Sequence, residues 1–205
     1  ENFPPVHLAN EDGLLAIGGE LSERRLLDAY SRGIFPWYSE NQPVLWWSPD
    51  PRMVLFPEDL KISKSMKQVL RNHPYRISFD EAFEKVIRNC ADIPRQGQDG
   101  TWINEEMIAA YLKLHKNGVA RSVEVWEGEL LIAGLYGIWL ADNKVFCGES
   151  MFTRRNNASK LAFIKMIEFY KNKGLKLVDC QIYTPHLESL GAKEISRENF
   201  LKFLD

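Results

Sequence analysis

Val119-Ala120-Arg121-Ser122-Val123-Glu124-Val125-Trp126, then Leu130-Leu131-Ile132-Ala133-Gly134-Leu135-Tyr136-Gly137-Ile138-Trp139-Leu140, then Lys144-Val145-Phe146-Cys147-Gly148-Glu149-Ser150-Met151-Phe152 form three β-rich runs. Glu127-Gly128 and Asp142-Asn143 stand between them as turn dipeptides, so the segment predicts an antiparallel meander. After Asn156-Asn157 the apolar spacing turns helical through Leu161, Ile164 and Phe169 to about Lys173, with Gly174 past the end. Leu175–Ile182 predicts one more strand, His186–Leu190 a helical turn, and Ser196 the cap of a last helix. Upstream, Arg52–Phe56 predicts a strand closed by Pro57, and Ser63 caps a helix to about Arg71. Ser78-Phe79-Asp80-Glu81 has the form of a capping box, with Phe79, Ala82, Phe83, Val86, Ile87 and Cys90 following at helical spacing. A Gly/Pro/Gln loop leads to Gly100-Thr101-Trp102-Ile103, and Asn104 caps a helix ending at Asn117-Gly118. The order αα–βββ–α–β–α describes a mixed α/β fold in which a helix follows the meander and leads to one more central strand.

The first fifty residues differ. Ten Pro and Gly positions from Pro4 to Pro51 break them into short pieces, with one credible helix between Ser22 as N-cap and Gly33 past its end. Leu26, Leu27 and Tyr30 share a face of that helix. Trp37, Trp46 and Trp47 fall within eleven residues of this segment. They form either a small aromatic core or an aromatic wall facing a ligand, and both readings can hold for different residues.

With 45% hydrophobic and 12% aromatic residues, the 205-residue chain can bury a core, which excludes disorder. The net charge of −2 gives no global basic signature, so any RNA contact needs a local patch. Lys64, Lys67 and Arg71 on one helix, with Lys61 and Arg76 close by, supply the best one. Cys90, Cys147 and Cys180 are widely spaced and odd in number, which fits a reducing compartment rather than a disulfide framework. His7, His73, His115 and His186 have no paired metal spacing. No apolar run approaches the roughly 20 residues of a membrane span, and no leader pattern opens the chain, although Glu1 rather than Met stands first. The expectation is a soluble cytoplasmic protein.

Glu149 is the one charged side chain in Val145–Phe152, and period-two alternation puts it on one face with Cys147 and Met151. Burying it there is costly without a cation, so it either faces solvent or serves a bound ammonium or guanidinium. Asp179 and Gln181 are two apart on the last strand and leave one face. They are either a polar pair bonding a loop or a site in which the Asp steadies the amide and the Gln positions an amine. Glutamine is no general base near neutrality. Cys147, His186 and Asp179 could be assembled into a thiol nucleophile, base and orienter, but no cysteine-enzyme signature accompanies them. Arg154-Arg155-Asn156-Asn157-Ala158-Ser159, ahead of a helix, contains no glycine and lacks the loop that cradles the pyrophosphate of coenzyme A.

Several blocks in order carry a resemblance. They are Gly13-Leu14-Leu15-Ala16-Ile17-Gly18-Gly19, Tyr30-Ser31-Arg32-Gly33-Ile34-Phe35-Pro36-Trp37, Leu45-Trp46-Trp47-Ser48-Pro49-Asp50-Pro51-Arg52, Gly100-Thr101-Trp102-Ile103, Phe146–Phe152, Asn157-Ala158-Ser159-Lys160, Asp179-Cys180-Gln181 and Ser189-Leu190-Gly191-Ala192. On these the chain resembles the bacterial leucyl/phenylalanyl-tRNA–protein transferases, nearly from end to end. The resemblance implies an α/β (α+β) protein. A small N-terminal α/β domain, residues 1–51, would be followed by an acetyltransferase-like (GNAT-like) mixed-sheet catalytic domain, residues 52–205. It implies transfer of leucine or phenylalanine, and less readily methionine, from aminoacyl-tRNA to the N-terminal Arg or Lys of a protein, which marks that protein for N-end rule degradation. By the same resemblance Asp179 and Gln181 are the catalytic pair, and Glu149 serves the acceptor peptide. Tyr30, Trp37 and Trp102 surround the aminoacyl adenosine. Leu135, Phe146, Met166 and Tyr170 form the side-chain pocket, and Lys64 and Arg71 contact the tRNA. A cytoplasmic monomer with no cofactor, no metal and no membrane partner is expected.

The chemistry is coherent, because an aminoacyl ester is already activated and needs mainly an oriented amine and a stabilised oxyanion. Two rivals stay in view. A coenzyme A-dependent N-acetyltransferase is disfavoured by the missing Gly-rich loop, and a non-catalytic RNA-binding module by the near-neutral charge.

Overall fold

The computed structural model describes residues 2–93 and 102–205. The expected Gly/Pro/Gln loop, with Gly100 and Thr101, lies outside them.

Near the N-terminus, β1 (Leu14–Ile17), β2 (Phe35–Pro36) and β3 (Leu45–Trp47) form a three-stranded sheet in the order β1-β3-β2, with α1 (Glu23–Ser31) between the first two strands. The Ser22 hydroxyl accepts from the Arg25 N–H and so satisfies one of the helix's orphan donors. At the far end Gly33 has φ +71, and a side chain there would meet Leu201 at 2.8 Å and Phe200 at 3.1 Å. Only glycine lets this turn sit against the C-terminal helix.

The remaining elements are β4 (Arg52–Leu55), α2 (Lys64–Asn72), β5 (Arg76–Phe79), α3 (Phe83–Asp92) and α4 (Glu105–Lys116). The meander follows as β6 (Ala120–Glu127), β7 (Leu130–Leu140) and β8 (Val145–Thr153), then α5 (Ala158–Lys171), β9 (Leu177–Gln181), α6 (Pro185–Ser189), β10 (Lys193–Ile195) and α7 (Arg197–Leu201). Seven strands make one mixed sheet in the order β10-β4-β9-β8-β7-β6-β5, with the parallel pair β8–β9 inside it. β7, buried along nearly all its length, runs through the sheet between β6 and β8. α5 packs Leu161, Ile164, Met166 and Ile167 on one face, and α3 and α4 pack Val86, Ile87, Met107 and Tyr111 on the other. Each such side chain contributes about 1.5–3 kcal/mol on burial, which is why these amphipathic helices hold to the sheet. No helix among the described residues is long and apolar enough to cross a membrane.

Ser63 and Asn104 cap α2 and α4 as their sequences predict, accepting from the N–H groups of Met66 and Met107. The capping box at Ser78 does not form. Ser78 and Phe79 are strand residues of β5, paired with Glu124 and Val123. The Ser78 hydroxyl donates instead to Glu124 at 2.6 Å. Glu124, wholly buried, also takes the Ser122 hydroxyl at 2.6 Å and the N–H groups of Glu81 and Ala82 at 3.4 and 3.3 Å, just ahead of α3. A carboxylate from a distant strand thus takes the N–H groups that lead into α3, which has no side-chain cap of its own. The short strands β5 and β10 were not foreseen.

Candidate active site

β8 and β9 run parallel through Val145↔Leu177, Phe146↔Val178 and Cys147↔Asp179, and then part. β8 continues along β7 to Thr153, while the chain after Gln181 turns away into α6. A cavity of about 820 Å³ opens in that gap, with Glu149 and Met151 on the β8 side and Cys180 and Gln181 on the β9 side.

A bulge aims Glu149 into it. Gly137 opposes Gly148 and Tyr136 opposes Ser150, so Glu149 is the extra residue on β8. Gly137 makes the close approach possible, since a Cβ there would meet the Cys147 carbonyl oxygen at 2.3 Å. The bulge reverses the alternation. Cys147 and Phe152 pack on the α3/α4 face, and Phe146 and Met151 on the α5 face. The expected grouping of Cys147, Glu149 and Met151 on one face is therefore corrected, because period two does not survive an inserted residue.

Glu149 Oε1 accepts the Tyr30 hydroxyl at 2.5 Å and the Gln181 Nε2–H at 3.2 Å, and Oε2 accepts the Tyr111 hydroxyl at 3.5 Å. The two tyrosine hydroxyls also lie within bonding reach of each other, and with one proton apiece they share those protons among the three contacts. Burial pushes the Glu149 carboxyl up to about 8; the negative charge of Asp179 adds to the rise, and the hydrogen bonds from Tyr30, Tyr111 and Gln181 oppose it. Burial, with the charge of Glu149, holds both tyrosines well above their ordinary range, so they act as donors.

Asp179 is 1% exposed and gripped by Arg52, Nε to Oδ1 at 2.8 Å and Nη2 to Oδ2 at 2.7 Å. Its Oδ1 also accepts the backbone N–H of Gln181 at 3.0 Å. Gln181 has φ +67, a left-handed conformation that a non-glycine residue keeps only where surrounding bonds determine it. One expectation changes: Asp179 steadies the backbone of Gln181 rather than its amide, which Glu149 holds.

Cys147 lies buried beside Asp179, with its thiol pushed well up by burial and by that carboxylate. It is a protonated core thiol, and Asp179 is engaged by Arg52 rather than by His186, so the Cys–His–Asp arrangement is not assembled. His186 lines the cavity with its imidazole pushed down by burial and by Lys160.

The tryptophans divide between the two readings. Trp46 is wholly buried, donating Nε1–H to the Gly18 carbonyl at 2.9 Å with Phe3 edge-on at 4.9 Å. Trp37 and Trp47, 5.8 Å apart between ring centres, line the cavity together with Trp102. Leu135, Phe146 and Met166 form an apolar slot within it, joined by Phe163, Val178 and Leu187. Tyr170 lies behind that slot, 5.0 Å from the Phe146 ring. Tyr30, 2% exposed, reaches the cavity through Glu149. Lys64 and Arg71 stand exposed on α2 away from the cavity lining, and neither is in an ion pair among the described residues. Arg52 and Tyr111 were not foreseen as site residues. A tyrosine on the buried face of α4, between Met107 and Leu114, needs a partner for its hydroxyl, and that was the available signal.

Comparison with known proteins gives the family. The family model described as "Leucyl/phenylalanyl-tRNA protein transferase" matches residues 54–205, and that of the family's N-terminal domain matches residues 19–50. A protein of Christiangramia forsetii named leucyl/phenylalanyl-tRNA–protein transferase is 62% identical over 204 residues, covering 100% of this chain and 96% of its own length. One of the same name from Flavobacterium johnsoniae is 55% identical, covering 98% and 94%. Among solved structures, a GCN5-related N-acetyltransferase from Kribbella flavida overlaps with a TM-score of 0.44 at 14% identity, covering 83% of this chain and 60% of that one. L-PGS from Bacillus licheniformis gives 0.45 at 11%, covering 79% and 51%. These structural overlaps are too slight to argue from. The sequence matches span the chain from end to end, and by them it belongs to the leucyl/phenylalanyl-tRNA–protein transferase family.

Proposed function

We propose that this chain transfers leucine or phenylalanine, and less readily methionine, from aminoacyl-tRNA to the N-terminal Arg or Lys of acceptor proteins, marking them for N-end rule degradation. The observation that carries the reading is the union, in one cavity, of an apolar slot (Leu135, Phe146, Met166) with a carboxylate and a carboxamide (Glu149, Gln181). The slot suits the transferred side chain, and Tyr170 supports it from behind. A hydrophobic slot separates similar aliphatic groups by only about 1–3 kcal/mol, which admits methionine. Trp37 and Trp102 supply flat faces for the adenosine of the tRNA end, and Tyr30 acts next to it through Glu149. Glu149 suits a basic acceptor. Gln181, with its Nε2 turned to Glu149, offers its carbonyl to the incoming amine. Asp179 is in this reading a positioning residue, since it touches the Gln181 backbone and Arg52 rather than the cavity. Lys64 and Arg71, both exposed on α2, are taken to meet RNA phosphates.

The same proposal takes residues 1–51 as a small N-terminal domain and 52–205 as an acetyltransferase-like catalytic domain. Its support is that β1–β3 and β4–β10 belong to separate sheets. It also takes the protein to act as a cytoplasmic monomer without a cofactor. Incubation with labelled Leu-tRNA, acetyl-CoA and a peptide beginning with Arg tests the reaction. Label should reach the peptide and vanish after ribonuclease pretreatment. Acetylation alone would sink the reading.

A further inference from the structure

Peptide-bond formation from an aminoacyl ester poses a proton problem that orientation does not solve. The acceptor's α-amine, with an ordinary pKa of about 7.7–8.0, arrives largely as an ammonium, and a protonated nitrogen has no lone pair with which to attack. Gln181 cannot store that proton, because a carboxamide has almost no basicity near neutrality. Asp179 cannot reach it, being 1% exposed with both oxygens held by Arg52. His186 lines the cavity, but burial and Lys160 push its imidazole down, which weakens it as a base.

Glu149 is placed differently. Its Oε1 already takes two donors, Tyr30 at 2.5 Å and Gln181 Nε2 at 3.2 Å, whereas Oε2 takes only Tyr111 at 3.5 Å and keeps capacity for another. The bond to Glu149 fixes the Gln181 amide with its carbonyl away from the carboxyl. Glu149 and Gln181 both line the cavity, so an amine entering it can meet the Gln181 carbonyl and the spare capacity of Glu149 Oε2. No cation pairs with Glu149 among the described residues, Arg52 being engaged by Asp179. We propose that Glu149 is the proton acceptor for the acceptor amine in aminoacyl transfer. This rests on the functional reading above.

The step balances as follows. The ammonium gives one proton to the Glu149 carboxylate, and the freed lone pair forms the C–N bond to the ester carbonyl carbon. As the carbonyl–O3′ bond breaks, the second proton on nitrogen passes to the departing 3′ oxygen. The third stays as the amide N–H, and Glu149 loses its proton to solvent before the next turnover. The groups facing Glu149 are Tyr30 from α1, Tyr111 from α4, Cys147 on β8, and Asp179 and Gln181 on β9, with Arg52 of β4 behind Asp179. The tyrosines and the cysteine are all held protonated, so none competes for the proton near neutrality. A carboxyl near 8 matches the amine, and transfer between matched groups is close to thermoneutral.

The test uses Glu149→Gln and Glu149→Asp with Leu-tRNA and two acceptor peptides, one beginning with Arg and one with citrulline, its uncharged urea analogue. Glu149→Gln should lower kcat about 10²–10⁴-fold on both acceptors. In the wild type one proton is shared between ammonium and carboxyl, so the acid limb of kcat belongs to the pair and lies below the amine's own range. In Glu149→Gln it should move up to about 7.7–8.0, while Glu149→Asp, slower but still carboxylate-bearing, should keep the limb low. Loss confined to KM for the Arg peptide, or one limb in all three proteins, overturns the proposal and leaves Glu149 as a side-chain partner only. Absence of transfer by the wild type would instead remove the functional reading itself.

Discussion

The Arg52 guanidinium and the Asp179 carboxylate meet side by side, with two bonds of 2.8 and 2.7 Å and side-chain exposures of 1% and 2%. The remaining Arg52 nitrogen, Nη1, donates to the Gly33 carbonyl at 3.0 Å, and the rings of Phe35 and Phe200 lie 4.9 and 4.5 Å from the guanidinium carbon. One side chain thus ties the N-terminal sheet and the last helix to the strand that carries Gln181. Arg52→Met leaves the carboxylate buried without its counter-charge, and breaking a buried pair from one side costs about 3–5 kcal/mol. Urea unfolding should show that loss, with Arg52→Lys between the two because it keeps the charge but not the fork. An unchanged midpoint in Arg52→Met would mean Asp179 does not depend on it.

Met166 is both 1% exposed and part of the apolar slot. Met166→Ala should cost about 2–5 kcal/mol of stability. It should also widen the slot and raise the kcat/KM ratio of Phe-tRNA over Leu-tRNA on the order of tenfold. A ratio that does not move places Met166 outside the selecting wall.

The Glu149 carboxyl stands at about 8 in the folded protein against an ordinary 4.5. The folded state therefore binds its proton more tightly than the unfolded chain does. The stabilisation this gives is fully present below pH ~4.5 and is lost as pH rises to about 8. Glu149→Gln cannot ionise, so its stability relative to the wild type should rise steadily across that window. Denaturant midpoints of both proteins at pH 5 and pH 8 check the sign.

Lys64 and Arg71 stand on an α2 face that includes Lys67 and is anchored by buried Met66. Replacing either by Ala should leave stability within about 0.5 kcal/mol. It should reduce the slope of log affinity for aminoacyl-tRNA against log salt by roughly one. Identical salt slopes would leave these cations as a solvated face.

What the sequence made legible was local. The caps at Ser22, Ser63, Asn104 and Ser196 each bond an N–H three residues on, so a short window contains both partners. The meander was legible for the same reason, its turns lying between adjacent runs. Ser78 shows the limit, since its hydroxyl found Glu124, 46 positions away, and a strand replaced the expected helix start. The bulge at Glu149 depends on how Gly137 and Gly148 approach across two strands, which no periodicity in one strand reveals. Arg52 and Tyr111 escaped notice as site residues because their partners, Asp179 and Glu149, are remote in the chain. The roles of Glu149, Asp179 and Gln181 are what the resemblance implies. What joins the Asp to the Gln is a backbone bond made at a left-handed turn, and neither is visible in residue spacing.

Strand β4 lies between β9 and β10, and Arg52 waits for a partner 127 positions downstream. A ribosome adds about 5–20 residues per second, so a nascent chain carries β4 for many seconds with neither neighbour made. Non-local closure of this kind is slow to form and cannot be begun from one end. A truncated product that stops before residue 177 has the meander but lacks β9, and with it both Gln181 and the Asp179 carboxylate for Arg52. The fold thereby ties the assembly of the candidate site to synthesis of the chain through β9, the last strand to contribute a residue to it.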